Sequence, residues 1–273
     1  MNKAILFGTT GTAIALAMLA FGFMAGRPET ATAQTLAQAT SSTAPNAANL
    51  DRAEIETIVR DYLLKNPEVL LEAQQALEDK QQEAQRVASL DVIKGAQEDI
   101  FNSAHDGVVG NPNGKVTIVE FYDYNCGYCK RAQADMQALT ETDPDLRFVL
   151  KEFPILGPDS QKAHVVSQAF LKLAPEKFEE FHNQLLGGQG RAGEDSAIKI
   201  ALALGIDEAK LREEMKNPAI MENFSKTYDL ANKLAITGTP SYVVGNEVVF
   251  GALGKDVLAE KIKAAKTASS AAN

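Results

Sequence analysis

The chain has 273 residues, 45% hydrophobic and 23% charged, which is ordinary globular composition and excludes disorder over most of its length. A formal net charge of −9 at pH 7, with no basic stripe, argues against nucleic acid as a partner. Residues 1–33 read as an export signal. Lys3 supplies a positive start, an apolar stretch runs to about Gly26, and Ala31-Thr32-Ala33 offers a small-residue cleavage site before Gln34. An N-terminal membrane anchor is the alternative, because the stretch approaches the ~20 apolar residues of a bilayer span. Either way the folded part is expected outside the cytoplasm. Loss of residues 1–33, which carry Lys3, Arg27 and Glu29, leaves a formal charge of −10.

Residues 34–50 are rich in Ala, Thr, Ser, Gln and Asn and read as a flexible leader. A helical segment and linker follow over residues 51–100. Asp51 and Glu54 form a capping-box pattern, and Ile55, Ile58, Val59, Tyr62 and Leu63 recur at helical spacing. Asn66-Pro67 ends one helix and starts a second, which presents Val69, Leu70, Ala73 and Leu77 before the polar run Glu78–Glu83. Such helices expose more apolar surface than a hairpin hides, so self-association is expected, with docking on the following domain as the alternative.

The main domain is expected over residues 101–267, with a disordered tail at 268–273. After the turn-rich stretch Gly110–Gly114, Val116–Tyr122 reads as a central strand running into Cys126-Gly127-Tyr128-Cys129. The residues after Cys129 read as helix and Leu146–Phe153 as a second strand, which together begin a parallel βαβ unit. Residues 159–234 are mainly helical. A hairpin, Tyr242–Val244 and Val248–Phe250 across Gly245-Asn246, precedes a last helix from Asp256 to about Lys266.

The chemistry is carried by the two cysteines, both in one C-x-x-C, which leaves no structural disulfide framework. At a strand-to-helix turn, Cys126 lies near unpaired amide hydrogens and the positive end of the helix dipole, which favours its thiolate. Thiolates attack disulfides, and the i, i+3 spacing lets Cys129 return to resolve a mixed disulfide. Zinc is disfavoured, since a site needs about four ligands and His105, His164 and His182 are scattered. The three histidines, with the Tyr122 and Tyr124 rings, are expected to be packing or surface residues.

These residues resemble the DsbA-like branch of the thioredoxin superfamily over Val108 to about Lys266. The resemblance rests on Val119–Lys130, on Lys151-Glu152-Phe153-Pro154, on the helical insertion and on Thr237-Gly238-Thr239-Pro240 before a strand. It implies an α/β thioredoxin fold with a helical insertion and a cis-proline at Pro240, preceded by Thr239, that receives substrate. It also implies a buried acid, Glu120, beneath the resolving thiol, with Lys151 on the neighbouring strand holding its charge. Within that branch, the segment Asp51–Leu77 and the Gly127-Tyr128 dipeptide are similar to the suppressor of copper sensitivity protein C family, trimeric in some members.

Tyr128 stands where the DsbA oxidases carry His, which implies a less oxidising centre. The resemblance therefore implies a periplasmic, oligomeric isomerase or reductase. It would need no cofactor or metal beyond the Cys126–Cys129 pair, would act on disulfide-containing client proteins, and would be kept reduced by a membrane-embedded thiol reductase. The alternatives are a DsbA-type oxidase and a Cu(I)-binding protein of copper tolerance, because two adjacent thiolates suit Cu(I).

Overall fold

The computed structural model describes residues 51–271; the assignments of signal and leader to residues 1–50 lie outside the described residues. The chain divides into two compact units, Met1–Val59 and Arg60–Asn273, and their boundary falls inside the first helix, α1 (Arg52–Lys65). At the start of α1 the capping box is made in both directions. Asp51 Oδ1 accepts the Glu54 N–H at 2.8 Å, and Glu54 Oε2 accepts the Asp51 N–H at 3.1 Å. Ile55, Ile58 and Val59 in this unit are exposed.

In the second unit, α2 (Glu68–Gly95) starts at Asn66-Pro67 and continues through the polar run. Glu, Gln, Lys and Ala are strong helix formers, and Gln74–Glu78 and Gln75–Asp79 hydrogen bonds, each 2.8 Å, run along its surface. The end of α2 and the short α3 (Gln97–Phe101) are not a bare linker as expected: Ile93 and Ile100 are fully buried in a hydrophobic core. The compact domain therefore begins before residue 101.

Five strands follow as one mixed sheet in the order β1-β3-β2-β4-β5. They are β1 (Gly107–Gly110), β2 (Val116–Tyr122), β3 (Leu146–Glu152), β4 (Ser241–Val244) and β5 (Glu247–Phe250). β2 and β3 are parallel, with Glu120 opposite Leu150 and Tyr122 opposite Glu152, and α4 (Gly127–Thr142) crosses between them. β4 runs antiparallel to β2, with Glu120 opposite Tyr242, and turns back into β5 at Gly245, whose φ of 57° suits a two-residue hairpin.

Alternation along the strands separates two cores. Ile118, Tyr122, Phe148 and Leu150 face α4 and α10 (Lys255–Ala271), which contribute Met136, Leu139, Leu258 and Ile262. Val119, Phe121, Val149 and Phe153 face the other way, toward Ile93, Ile100, Leu230 and Ile236. The helical insertion comprises α5 (Pro158–Leu173), α6 (Phe178–Leu186), α7 (Glu194–Ala203), α8 (Glu208–Glu214) and α9 (Pro218–Lys233). α10 runs past Lys266 to Ala271, so residues 268–271 are helical where a disordered tail was expected; alanines at 264, 265, 268 and 271 favour its continuation.

Candidate redox active site

Backbone geometry at the end of β2 places the cysteines. Asp123 is fully buried, and its carboxylate accepts the Asn125 N–H at 2.8 Å, the Ser160 hydroxyl at 2.8 Å and the Leu156 N–H at 2.9 Å. Its carbonyl accepts the Cys126 N–H at 2.9 Å, which closes the turn. The Asn125 amide bonds both backbone groups of Ala192, at 2.7 and 2.9 Å, and the Ser160 hydroxyl at 3.0 Å. Cys126 thereby becomes the N-cap of α4, with extended backbone, and its sulfur accepts the Cys129 N–H at 3.3 Å.

Across from the helix, the Thr239–Pro240 peptide is cis, and the Thr239 carbonyl lies 3.1 Å from Cys126 Sγ and accepts its thiol. Pro240 carries no N–H to compete there, and its own carbonyl accepts the Gly251 N–H at 2.9 Å. Gly127 is exposed, with open space where a side chain would stand. Tyr128 is 60% exposed and its ring lies under the Arg131 guanidinium at 4.1 Å, so its side chain faces away from the sulfur.

Electrostatics separate the two thiols. A hydrogen bond from the Cys129 side chain, the Thr239 side chain and the backbone N–H groups of Cys129 and Tyr128 bring Cys126 down to about 5, against the opposing effect of burial. Burial pushes the Cys129 thiol far up, and its bond to Cys126 and the Glu120 charge act in the same direction. Glu120 is buried on the Cys129 face of the sheet. Burial first, and then the Cys126 charge, raise its carboxyl to about 8, while a hydrogen bond with Tyr242 pulls the other way.

The supporting role expected of Lys151 is corrected. It lies opposite Phe121 in the parallel register, so the period of two turns it to the face away from Glu120. There it is fully buried and bonds the Asp106 carboxylate and the Asp99 carbonyl, with Ser103 Oγ at 3.3 Å.

Sequence reasoning missed Asp123, Asn125, Ser160 and Tyr242. The Tyr122 and Tyr124 rings, expected to pack, and His164, expected to pack or lie at the surface, form a buried polar group with Glu152 and Ser167, which sequence reasoning also missed. Register offered the one available signal, since Tyr242 stands opposite Glu120 and Glu152 opposite Tyr122. Among the described residues, no group of three or more His, Cys, Asp and Glu side chains converges as a metal ion requires.

The family model of the DSBA-like thioredoxin domain matches residues 117–263, more than half of the chain. The chain belongs to this family. Its residues 51–84 match the N-terminal domain of the copper resistance protein ScsC. A thioredoxin-like oxidoreductase from Silicibacter pomeroyi is 38% identical with a TM-score of 0.60, over 63% of this chain and 98% of that one. A linker-deletion mutant of Proteus mirabilis ScsC is 26% identical with a TM-score of 0.62, over 81% of this chain and 99% of that one.

Among curated proteins, disulfide bond formation protein D of Bacillus subtilis is 28% identical over 57% of this chain and 75% of its own length. The chain also matches the Na(+)/H(+) antiporter NhaA 3 of Salinispora tropica, at 25% identity over 59% of this chain, and spans only 24% of the length of that protein. This DsbA-like thioredoxin domain carries the thiols of Cys126 and Cys129 at the i, i+3 spacing that thiol–disulfide exchange can use.

Proposed function

We propose that this protein is an exported, periplasmic disulfide isomerase or reductase that acts as a homo-oligomer, with Cys126 as the attacking thiol and Cys129 as the resolving one. The reading is carried by the asymmetry of the pair: Cys126, 5% exposed at the start of α4, is brought down to about 5, while Cys129 is fully buried with its thiol pushed up. A thiol brought below its ordinary value is the attacking one, and a buried thiol held protonated is the one that resolves.

The Cys126 thiolate attacks one sulfur of a client disulfide. The client S–S bond breaks, a bond forms to Cys126 Sγ, and the second client sulfur leaves as a thiolate. In isomerisation a client thiolate later attacks the mixed disulfide and regenerates Cys126. In reduction Cys129 gives its proton to Glu120, attacks Cys126 Sγ and releases the client thiol. The Cys126–Cys129 disulfide that remains is reopened by a membrane-embedded thiol reductase. Thr239 and Pro240 border the sulfur as a backbone edge for the client strand. The pair itself is the whole redox equipment, with no other cofactor and no metal.

Export rests on the signal-like pattern of residues 1–33. Among the described residues, no helix is long and apolar enough to cross a membrane. Self-association, as a trimer by resemblance, rests on the exposed Ile55, Ile58 and Val59 of the first unit and on Tyr62, Leu64, Leu70, Leu71 and Leu77 of the second. A disulfide oxidase is the second reading, favoured by the similarity to disulfide bond formation protein D and by the depressed Cys126 thiol.

Refolding of a scrambled, multiply disulfide-bonded substrate in glutathione buffer separates the two readings. The isomerase reading expects activity to be regained with the mature protein and lost in Cys126→Ser. Rapid oxidation of reduced substrate without unscrambling would give the oxidase.

A further inference from the structure

His164 of α5 is fully buried beside the cysteine turn, yet the exchange chemistry makes no use of it. Its Nε2 accepts the Tyr124 N–H at 3.3 Å, so that nitrogen carries no proton. Its Nδ1 lies 3.1 Å from Glu152 Oε2 and donates to it, which leaves a single tautomer consistent with both contacts.

Glu152 is in turn fixed from its other oxygen. The Ser167 hydroxyl donates to Glu152 Oε1 at 2.5 Å, and the Tyr124 hydroxyl donates to Ser167 at 2.8 Å. The Tyr122 hydroxyl donates to Tyr124 at 3.1 Å. The remaining faces of the His164 ring meet the rings of Tyr122, Tyr124 and Phe224, and His182 stands behind Tyr122 and Tyr124. No cation borders the pair among these contacts.

We propose that His164, oriented by Glu152, is a positioning residue for the redox centre: it pins the Tyr124 amide and so holds the turn that aims Cys126 Sγ at its donors. Tyr124 lies between two fixed points of that turn, the Phe153 N–H bond to the Tyr122 carbonyl and the Cys126 N–H bond to the Asp123 carbonyl, both 2.9 Å. The Cys129 N–H reaches Cys126 Sγ at 3.3 Å, and a displacement of the turn weakens this bond to the thiolate. The helical insertion thus reaches the nucleophile through the Tyr124 amide, in addition to the Ser160 and Ala192 contacts with Asp123 and Asn125. This inference rests on the reading of Cys126 as the attacking thiol.

The test is the pH profile of Cys126 alkylation in the reduced full-length protein, with thermal unfolding run in parallel. His164→Phe keeps an aromatic ring and removes the acceptor. It should move the alkylation midpoint upward by about one unit, an approximately tenfold loss of thiolate below the midpoint. His164→Gln, whose amide oxygen can reach the Nε2 position, should restore a large part of that loss. Profiles that overlay the wild type while unfolding midpoints fall would make His164 merely structural and overturn the proposal.

Should His164→Phe not fold, the wild-type protein carries the test, because coupling between two sites is reciprocal. The Tyr124 amide and the His164 ring nitrogens should then give different magnetic resonance signals in the dithiol and disulfide forms, and identical signals would overturn the proposal. A wild-type midpoint at the ordinary thiol value would sink the reading of Cys126 itself. A low wild-type midpoint unmoved by His164→Phe would sink the positioning role alone.

Discussion

A carboxyl raised to about 8 at Glu120 changes its charge close to the pH at which Cys129 must lose a proton. It can take that proton when ionised and return it when neutral. Glu120→Gln should therefore slow release of a client from its mixed disulfide with Cys126 by roughly a hundredfold, while the first attack by Cys126 keeps its rate. Rapid-mixing kinetics with a preformed mixed disulfide separates the two steps. The same residue has a stability signature. Its folded value lies above the ordinary 4.5, so the folded chain retains a proton that the unfolded chain has released between about 4.5 and about 8. That contribution is full below the lower value and is lost as pH rises through the upper one. Urea titrations across this window should show the reduced wild type losing stability relative to Glu120→Gln as pH rises.

Among the elements, β2 and β3 show what pattern can and cannot reveal. Val116–Tyr122 reads as a strand because its branched and aromatic residues cluster between turn signals, and the C-x-x-C after it marks the helix start that the structure has at Gly127. β1 offers four residues, two of them glycine, and no pattern long enough to read. Side-chain direction was legible only relative to a register. Glu120 and Lys151 look like partners on neighbouring strands, but the pairing of Lys151 with Phe121 puts them on opposite faces. The same limit hid Glu152 and His164, which lie twelve residues apart and meet only because α5 folds back over the end of β3. On its own face Lys151 forms a buried ion pair with Asp106. Lys151→Met should cost about 3–5 kcal/mol of stability by leaving that carboxylate unpaired. The Cys126 alkylation profile should stay at its wild-type position. Chemical denaturation and alkylation of one preparation check both outcomes, and a displaced profile would tie Lys151 to the redox face after all.

At the scale of the whole molecule, the oligomer reading turns on where the self-associating segment ends and the catalytic core begins. Leu64 and Leu71 are each 69% exposed, and Leu77 is 55% exposed. From there Val87 is the one exposed large hydrophobic of α2 before Ile93, which is fully buried with Ile100 in the core behind the sheet. Those two side chains are worth about 1.5–3 kcal/mol each, so a truncation that took them would damage the domain as well as the oligomer. Removal of residues 51–77 spares both, together with every residue around Cys126. The shortened chain should sediment as a folded monomer and reduce simple disulfides at the wild-type rate. Isomerisation is a different demand, because a client held on one Cys126 must meet further thiols before it escapes, and linked copies raise their effective concentration. The monomer should therefore lose unscrambling activity by tenfold or more, measured against the full chain at equal active-site concentration. Full isomerisation by that monomer would show that a single Cys126–Cys129 pair suffices, and would remove the functional reason for the exposed apolar residues of α1 and α2.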